Sequence, residues 1–284
     1  MSQRDIYQLL DVGDESKLEQ IGPYRVTRQA AQAYWPKEKN GREWARPDGE
    51  HHRSSSGGGH WSYRNRTPES WVVGHGEYRF TIKLTDFGHI GLFPEQEENW
   101  RWIQDNSQGG PRVLNLFGYT GGSTLAAASG GAHVTHVDAS KGAVAWAREN
   151  FALNDCREAP VRWIVEDVQK YIAREERRGS KYQGLILDPP SFGRGPRGQV
   201  WKIEDDLVPL LRELAKLMDP LRYVLLSCHT PGYSPECLRN ILDTVFDIPR
   251  EEMEAGEMLV DVAESKRVLP SGTYVRWAVP VSPQ

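Results

Sequence analysis

Four short stretches carry residue types that can do chemistry, and they occur in order along one half of the chain. The first is NLFGYTGGST, residues 115–124, where Gly118, Gly121 and Gly122 let a backbone pass close to a ligand. Amides at the helix start that follows favour a carboxylate or phosphate. The second is Asp138, twenty residues after Gly118, suited to accept hydrogen bonds from both hydroxyls of a ribose. The third is Asp167 in VEDV, placed to receive an exocyclic amine, and the fourth is Asp188 in LILDPPSFGRGPRGQ. An acid at the end of an apolar run, followed by Pro189 and Pro190, leaves carbonyls free and fixes the turn. A fifth stretch, LLSCHTPGY, brings Cys228 beside His229, a thiol with a base that can help deprotonate it.

Each acid taken singly is equally well explained as a cap for the next helix. Their succession at consecutive strand ends points to a nucleoside ligand. The dinucleotide pattern G-x-G-x-x-G is not supplied by FGYTGG, and G-x-x-x-x-G-K-[ST] is absent. An adenosine with a small charged tail fits better, and S-adenosylmethionine is such a ligand. Its carboxylate suits the glycine loop, its ribose Asp138 and its adenine Asp167. The expected lining is therefore Asn115, Phe117, Gly118, Tyr119, Thr120 and Gly121, then Asp138 with Ala139, Asp167 with Val168, and Asp188.

These residues need strand ends to stand on, and the sequence supplies them. From Pro111 onward apolar runs alternate with helical patterns: RVLNLF, AHVTHVD, VRWIV, YQGLILD and LRYVLLS. Ala143, Ala147, Phe151 and Asn154 recur at helical spacing, as do Leu207, Leu210, Leu211, Leu214 and Leu217, and Ser140 and Ser234 offer N-caps. Such alternation predicts right-handed crossovers and a doubly wound, mostly parallel α/β sheet. EMLVDVAE and GTYVRWAVP, joined by a Pro-Ser-Gly turn, predict a terminal hairpin at the sheet edge. Residues 1–108 are irregular, with strand candidates at WVVGH and YRFTIKL and a polar, glycine- and serine-rich stretch, 37–70, expected as a long loop or disordered insertion. The domain expectation is an N-terminal β-containing extension, 1–108, and a ligand-binding domain, 109–284.

Composition narrows the classes. The chain has 284 residues, 26% of them charged, and a net charge of −4, so no global basic signature marks nucleic acid. Three cysteines at irregular spacing make neither a disulfide framework nor a zinc site, and no metal is expected. The charged N-terminus has no signal-peptide core, and no apolar segment approaches membrane-spanning length, so a cytoplasmic protein is expected.

VLNLFGYTGGSTLAAASGGAHVTHVDAS, followed by DPPSF, resembles the class I methyltransferase domain of bacterial large-subunit ribosomal RNA methyltransferases. The likeness is to a branch without an N-terminal RNA-binding module, sharing FGRG after the DPP and PEQ upstream, and it runs from about Trp71 to the C-terminus. The resemblance implies a seven-stranded sheet with a reversed last strand, S-adenosylmethionine as cofactor and a base in structured RNA as acceptor. It also implies cofactor contacts at Phe93, Gln96 and Asn99, from a Gly-Phe-Phe-x-Asp-Gln-Arg-x-Asn pattern that this chain departs from at Pro94, Glu95 and Glu97. In amine-methylating relatives an aromatic follows the two prolines; here Ser191 takes that place and Phe192 comes one later. Cys228 stands where the 5-methylcytosine branch carries its nucleophile, although a strand-end thiol is ordinarily packing. Asp188, Pro189, Pro190 and Cys228 are the catalytic candidates, and Arg64, Arg66, Arg194 and Arg197 the candidate RNA contacts. A small-molecule or protein methyltransferase, or a non-catalytic cofactor-binding scaffold, are the alternatives on the same core.

Overall fold

The computed structural model describes residues 5–39, 41–54, 58–156, 159–194, 198 and 200–279. In chain order its strands are β1 (Tyr7–Gly13), β2 (Ser16–Ile21), β3 (Tyr24–Gln29), β4 (Gly49–Arg53), β5 (Gly59–Tyr63), β6 (Trp71–His75) and β7 (Tyr78–Ile82). They continue with β8 (Arg112–Leu116), β9 (His133–Asp138), β10 (Val161–Val165), β11 (Tyr182–Leu187), β12 (Phe192–Arg194), β13 (Val200–Lys202), β14 (Met218–Cys228), β15 (Glu254–Asp261) and β16 (Val268–Ala278). The helices are α1 (Gly41–Trp44), α2 (Glu97–Asn106), α3 (Gly122–Ser129), α4 (Lys141–Ala152), α5 (Val168–Arg177), α6 (Ile203–Ala215) and α7 (Pro235–Phe246). Contacts divide the chain into two units, Met1–Glu97 with Leu259–Ser271, and Glu98–Met258 with Gly272–Gln284. The sequence pattern alone puts the change near residue 109.

The larger unit is built on a seven-stranded sheet in the order β10-β9-β8-β11-β14-β16-β15, parallel from β10 to β14 and antiparallel where β14 meets β16. The doubly wound α/β expectation with a reversed last strand therefore holds. Strands covered on both faces need continuous apolar runs, and β8, β11 and the second half of β14 are buried almost throughout. Leu114, Leu116, Leu185, Leu187, Val224 and Leu226 share one core with Leu207, Leu210, Leu211 and Leu214 of α6. Each such side chain contributes about 1.5–3 kcal/mol through burial. Ser140 and Ser234 cap α4 and α7 by accepting from Ala143 N and Cys237 N, as their positions predict. Strand order reverses between β8 and β11, so ligands belong at the carboxyl ends of the strands around that point.

The hairpin differs in one detail. Pro270, Ser271 and Gly272 lie inside β16, and the turn is made by residues 262–267. Pairing of β16 with β14 stops at Thr273↔Cys228, so the missing N–H of Pro270 forfeits no ladder bond on that side.

The other unit holds a five-stranded sheet in the order β1-β2-β3-β4-β5 and the separate hairpin β6–β7. Composition marks residues 37–70 as a loop, yet they carry α1, β4 and β5. Only Gly49, His51 and Trp61 of those two strands are buried, so the sequence GEHHR…GHWSY shows almost none of the alternation that announces a strand. In this unit Glu19 is fully buried between Arg28, whose Nε lies 2.6 Å from Oε2, and the Tyr7 hydroxyl at 2.8 Å. Arg28 and Lys17 hold its carboxyl down at about 2, against the opposing effect of burial.

Candidate active site

The glycine turn after β8 is a strained, closely seated loop. Phe117 and Tyr119 adopt left-handed backbone angles (φ 56° and 44°) although neither is glycine, and Gly121 does so at φ 86°. Such residues cost about 1–3 kcal/mol each and persist where the surroundings over-determine them. Gly118 N donates to Val137 O at 3.1 Å, Tyr119 N to Asp138 Oδ2 at 3.0 Å, and Asn150 Nδ2 of α4 to Thr120 O at 2.9 Å. A Cβ on Gly118 would stand 2.5 Å from His136 Cε1, and one on Gly122 would stand 2.6 Å from Trp100 Cζ2. The glycines are thus required by what lies beneath the loop.

Beneath it, Asn115 Nδ2 donates to Thr124 Oγ1 at 2.8 Å, which leaves the Thr124 proton for His136 Nδ1 at 2.9 Å. His136 is fully buried and burial depresses its pKa to about 3, so it is neutral. Asn115, expected at the cofactor, is 2% exposed and positions the loop from below. Thr120, 4% exposed, is likewise tucked in by Asn150.

Asp138 ends β9 with its carboxylate held by two backbone donors, Tyr119 N and Ser140 N, the latter at 2.8 Å. Burial raises its pKa, and those two N–H groups oppose the rise. A carboxylate offers about four lone-pair sites, so two remain to accept from a diol. Ala139 beside it is exposed. Asp167 caps α5 by accepting from Lys170 N at 3.1 Å, and Val168 is buried in the core, where it supports the turn.

Asp188 follows β11, one third exposed, and its Oδ1 lies 3.2 Å from Nδ1 of His229, the residue after β14. Pro189 is buried and Pro190 exposed, and the Pro190 carbonyl accepts from Trp201 Nε1 at 2.7 Å. Ser191 Oγ lies 2.7 Å from Thr230 Oγ1, tying the turn after β11 to the turn after β14. The hairpin β12–β13 brings Trp201 to 5.0 Å from the ring of Phe117 and carries Phe192, 52% exposed, under the guanidinium of Arg194 at 5.7 Å.

Cys228 is 0% exposed, and Thr230 N donates to its Sγ at 3.4 Å. Burial pushes the thiol up, and Asp188 adds to that effect. A nucleophilic cysteine needs an accessible thiolate in electropositive surroundings; this one is a protonated core residue beside an acid. Phe93, edge-on to His89 at 5.6 Å, and the buried Gln96 belong to the N-terminal unit. Asn99, 1% exposed, donates to Met258 Sδ at 3.5 Å and accepts from Arg276 Nη1 at 3.2 Å, which ties α2 to the terminal hairpin. Arg64 and Arg66 are exposed on the N-terminal unit, and Arg197 lies outside the described residues.

A family model for S-adenosylmethionine-dependent methyltransferases matches residues 28–261, most of the chain. The chain belongs to this family. The match begins well before Trp71, so the likeness takes in part of the N-terminal unit. The ribosomal RNA large subunit methyltransferase K/L of Shewanella frigidimarina is 35% identical over 144 residues, and that of Pseudoalteromonas atlantica 38% identical over 144. Each alignment covers 50% of this chain and 20% of the relative, so the chain matches about a fifth of their length. The crystal structure of a SAM-dependent methyltransferase from Agrobacterium tumefaciens is 37% identical with a TM-score of 0.88, covering 96% of this chain and 90% of the other. A methyltransferase complexed with SAH, 19% identical, shares the fold at a TM-score of 0.74 over 97% of this chain and 76% of the other.

The methyltransferase uses S-adenosylmethionine, and its residues fit that group. Asp138 keeps acceptor capacity at the strand end beside the glycine turn, whose Gly118, Tyr119 and Gly121 N–H groups donate within the protein. When bound, the cofactor supplies a methyl group on a positively charged sulfur. Asn115, Thr124, His136, Asn150 and Trp201 were not legible as a set. Polar Asn115 and His136 inside otherwise apolar runs are nevertheless a signal, because buried polar groups are there to be bonded. Among the described residues no cluster of His, Cys, Asp or Glu suits a metal, and no helix is long and apolar enough to cross a membrane.

Proposed function

We propose that this methyltransferase methylates a base of structured RNA, with ribosomal RNA the favoured class. The observation that carries the reading is the exposed Phe192 under Arg194 on the hairpin that follows Asp188. An aromatic face paired with a guanidinium is the apparatus for stacking an unpaired base and contacting its phosphate. The names of the relatives from Shewanella and Pseudoalteromonas agree with it. In this reading Gly118, Tyr119, Gly121, Asp138, Ala139 and Asp167 hold the cofactor, with Phe117 flanking it and Asp188, Pro189 and Pro190 facing the acceptor. Asn99 lies on the cofactor side, and Arg194 meets a phosphate. Such a protein works in the cytoplasm.

The test is tritium transfer from labelled S-adenosylmethionine into RNA, protein and metabolite fractions of cells lacking the gene. Label in RNA with the wild type and none with Asp188→Ala, at unchanged SAH affinity, supports the reading. Label confined to protein or metabolites overturns the RNA acceptor, and no label in any fraction returns the chain to a scaffold.

A further inference from the structure

Between Gly49 and Arg66 the chain carries one acid, Glu50, against Arg53, Arg64, Arg66 and three histidines, although over the whole chain acids outnumber bases, 39 to 35. This stretch forms β4 and β5 at one end of the five-stranded sheet, and β5 is its edge strand. The register sets Glu50 opposite Ser62 and His52 opposite His60, and all four residues are exposed. Alternation along each strand puts them on one face, the other being that of the buried His51 and Trp61. Arg64, whose N donates to Asp48 O at 2.9 Å, extends the exposed row beyond β5. The two exposed imidazoles are stacked, with ring centroids 5.1 Å apart and planes 27° from parallel, and His52 Nε2 lies 2.8 Å from Ser62 Oγ, which pins its ring. Arg64 and Arg66 are exposed, and among the described residues neither has an ion-pair partner.

Neither burial nor charge pairing accounts for these side chains. A metal centre needs more ligands than one histidine pair, and among the described residues no group of three exists. A protein partner seeks an apolar anchor, which Glu50, His52, His60, Ser62 and Arg64 do not supply. Flat exposed rings beside unpaired guanidiniums suit a different ligand: unpaired bases stack on imidazole planes as on other aromatics, and arginine meets the phosphates between them. We infer that this face of the N-terminal unit is a second RNA-contact surface, on which His52 and His60 stack an unpaired base and Arg64 and Arg66 meet flanking phosphates. The ligand is single-stranded RNA, because bases of a duplex are already stacked on one another and do not open onto the rings. The carboxylate of Glu50, on the same face, offers an acceptor to a base amine or a ribose hydroxyl. This inference rests on the RNA reading above and gives that substrate a contact far in sequence from Asp188.

The test is fluorescence anisotropy of the full chain with a labelled, mixed-sequence single-stranded RNA of about 12 nucleotides, alone or annealed to its complement. The wild type should bind the single strand with a Kd below about 10⁻⁴ M at physiological salt, and more tightly than the duplex. Joint Arg64→Ala and Arg66→Ala should lower the slope of log K against log salt by about 1.4, two phosphates at about 0.7 each. Joint His52→Ala and His60→Ala should weaken binding by about 5- to 150-fold, the worth of one stacked base, and leave the slope alone. Arg177→Ala, an exposed arginine of α5, is the control and should change neither. Melting curves establish that the variants fold; if the histidine pair does not, the arginine slope decides. No binding by the wild type, a duplex bound as tightly as the single strand, or variants indistinguishable from Arg177→Ala overturns the inference and leaves the RNA acceptor to its own tritium assay. Tritium confined to protein or metabolites sinks the RNA acceptor, while the oligonucleotide still decides what this face binds.

Discussion

Gly118→Ala isolates the seating of the cofactor loop, because Gly118 is not among the positive-φ residues and the added methyl meets only packing. That methyl would stand 2.5 and 2.6 Å from His136 Cε1 and Nδ1, where ordinary contact is 3.4–4 Å, so about 1 Å must be found. The imidazole cannot yield: it is fully buried, and Thr124 holds its Nδ1. The loop must lift instead, carrying Tyr119 N away from Asp138. Overpacking of this kind costs about 1–3 kcal/mol, and a 1 Å misplacement of binding groups costs on the order of 100-fold. The expected result is a 10- to 100-fold weaker Kd for SAH by titration calorimetry, about 1.4–2.8 kcal/mol, with a urea midpoint that falls but a transition that stays cooperative. Gly142→Ala is the control: its Cβ meets nothing nearer than Ser140 Oγ at 3.8 Å. Inside α4 that change should stabilise by about 0.5–1 kcal/mol and leave Kd alone. Wild-type SAH affinity in a folded Gly118→Ala protein would refute the account of the loop.

Asp138→Asn should weaken SAH binding by about 1.5–3 kcal/mol, the worth of hydrogen bonds to a charged partner, and should also lower thermal stability, since its NH2 would face a backbone N–H that the carboxylate accepts from; calorimetry and a melting curve check both. Glu19→Gln should lower stability by about 3–5 kcal/mol at neutral pH, since it leaves the Arg28 charge buried without its partner. The carboxyl at about 2, against an ordinary 4.5, contributes stability that is complete above pH 4.5 and lost as pH falls toward 2. Urea midpoints should show that acid limb in the wild type and a shallower one in Glu19→Gln. Cys228→Ala should keep methyl transfer within about threefold while lowering stability by about 1 kcal/mol; a collapse of kcat in a folded protein would restore the thiol as nucleophile.

The sheet was legible because its strands are buried on both faces and their sequences are apolar runs punctuated by Ser140, Ser234 and the acids. The N-terminal sheet was not, since β4 and β5 bury one side chain each around His51 and Trp61 and are polar elsewhere. At the site, the acids at the strand ends were visible but the partners of His229 were not. Consecutive side chains of a strand point to opposite faces, so leaving β14 sends Cys228 into the core and His229 toward Asp188. The resemblance put Cys228 at the nucleophile's place with His229 beside it as a base, and that alternation sets the two side chains apart. Asn115, expected at the cofactor, turns its side chain to Thr124 of α3.

The N-terminal unit is discontinuous. Residues 259–271 close it: Val262 bridges Leu9, Ala263 N donates to Leu9 O at 2.8 Å, Arg267 Nη1 to Pro36 O at 2.6 Å and Gln32 Nε2 to Pro270 O at 2.8 Å. During synthesis, then, the first hundred residues emerge without the segment that completes their packing and wait for nearly the whole methyltransferase core to be translated. Contacts of such sequence separation form late. Excising either half at a cut near residue 100 would strand the hairpin end without its partners, so the two units are better dissected by circular permutation than by truncation.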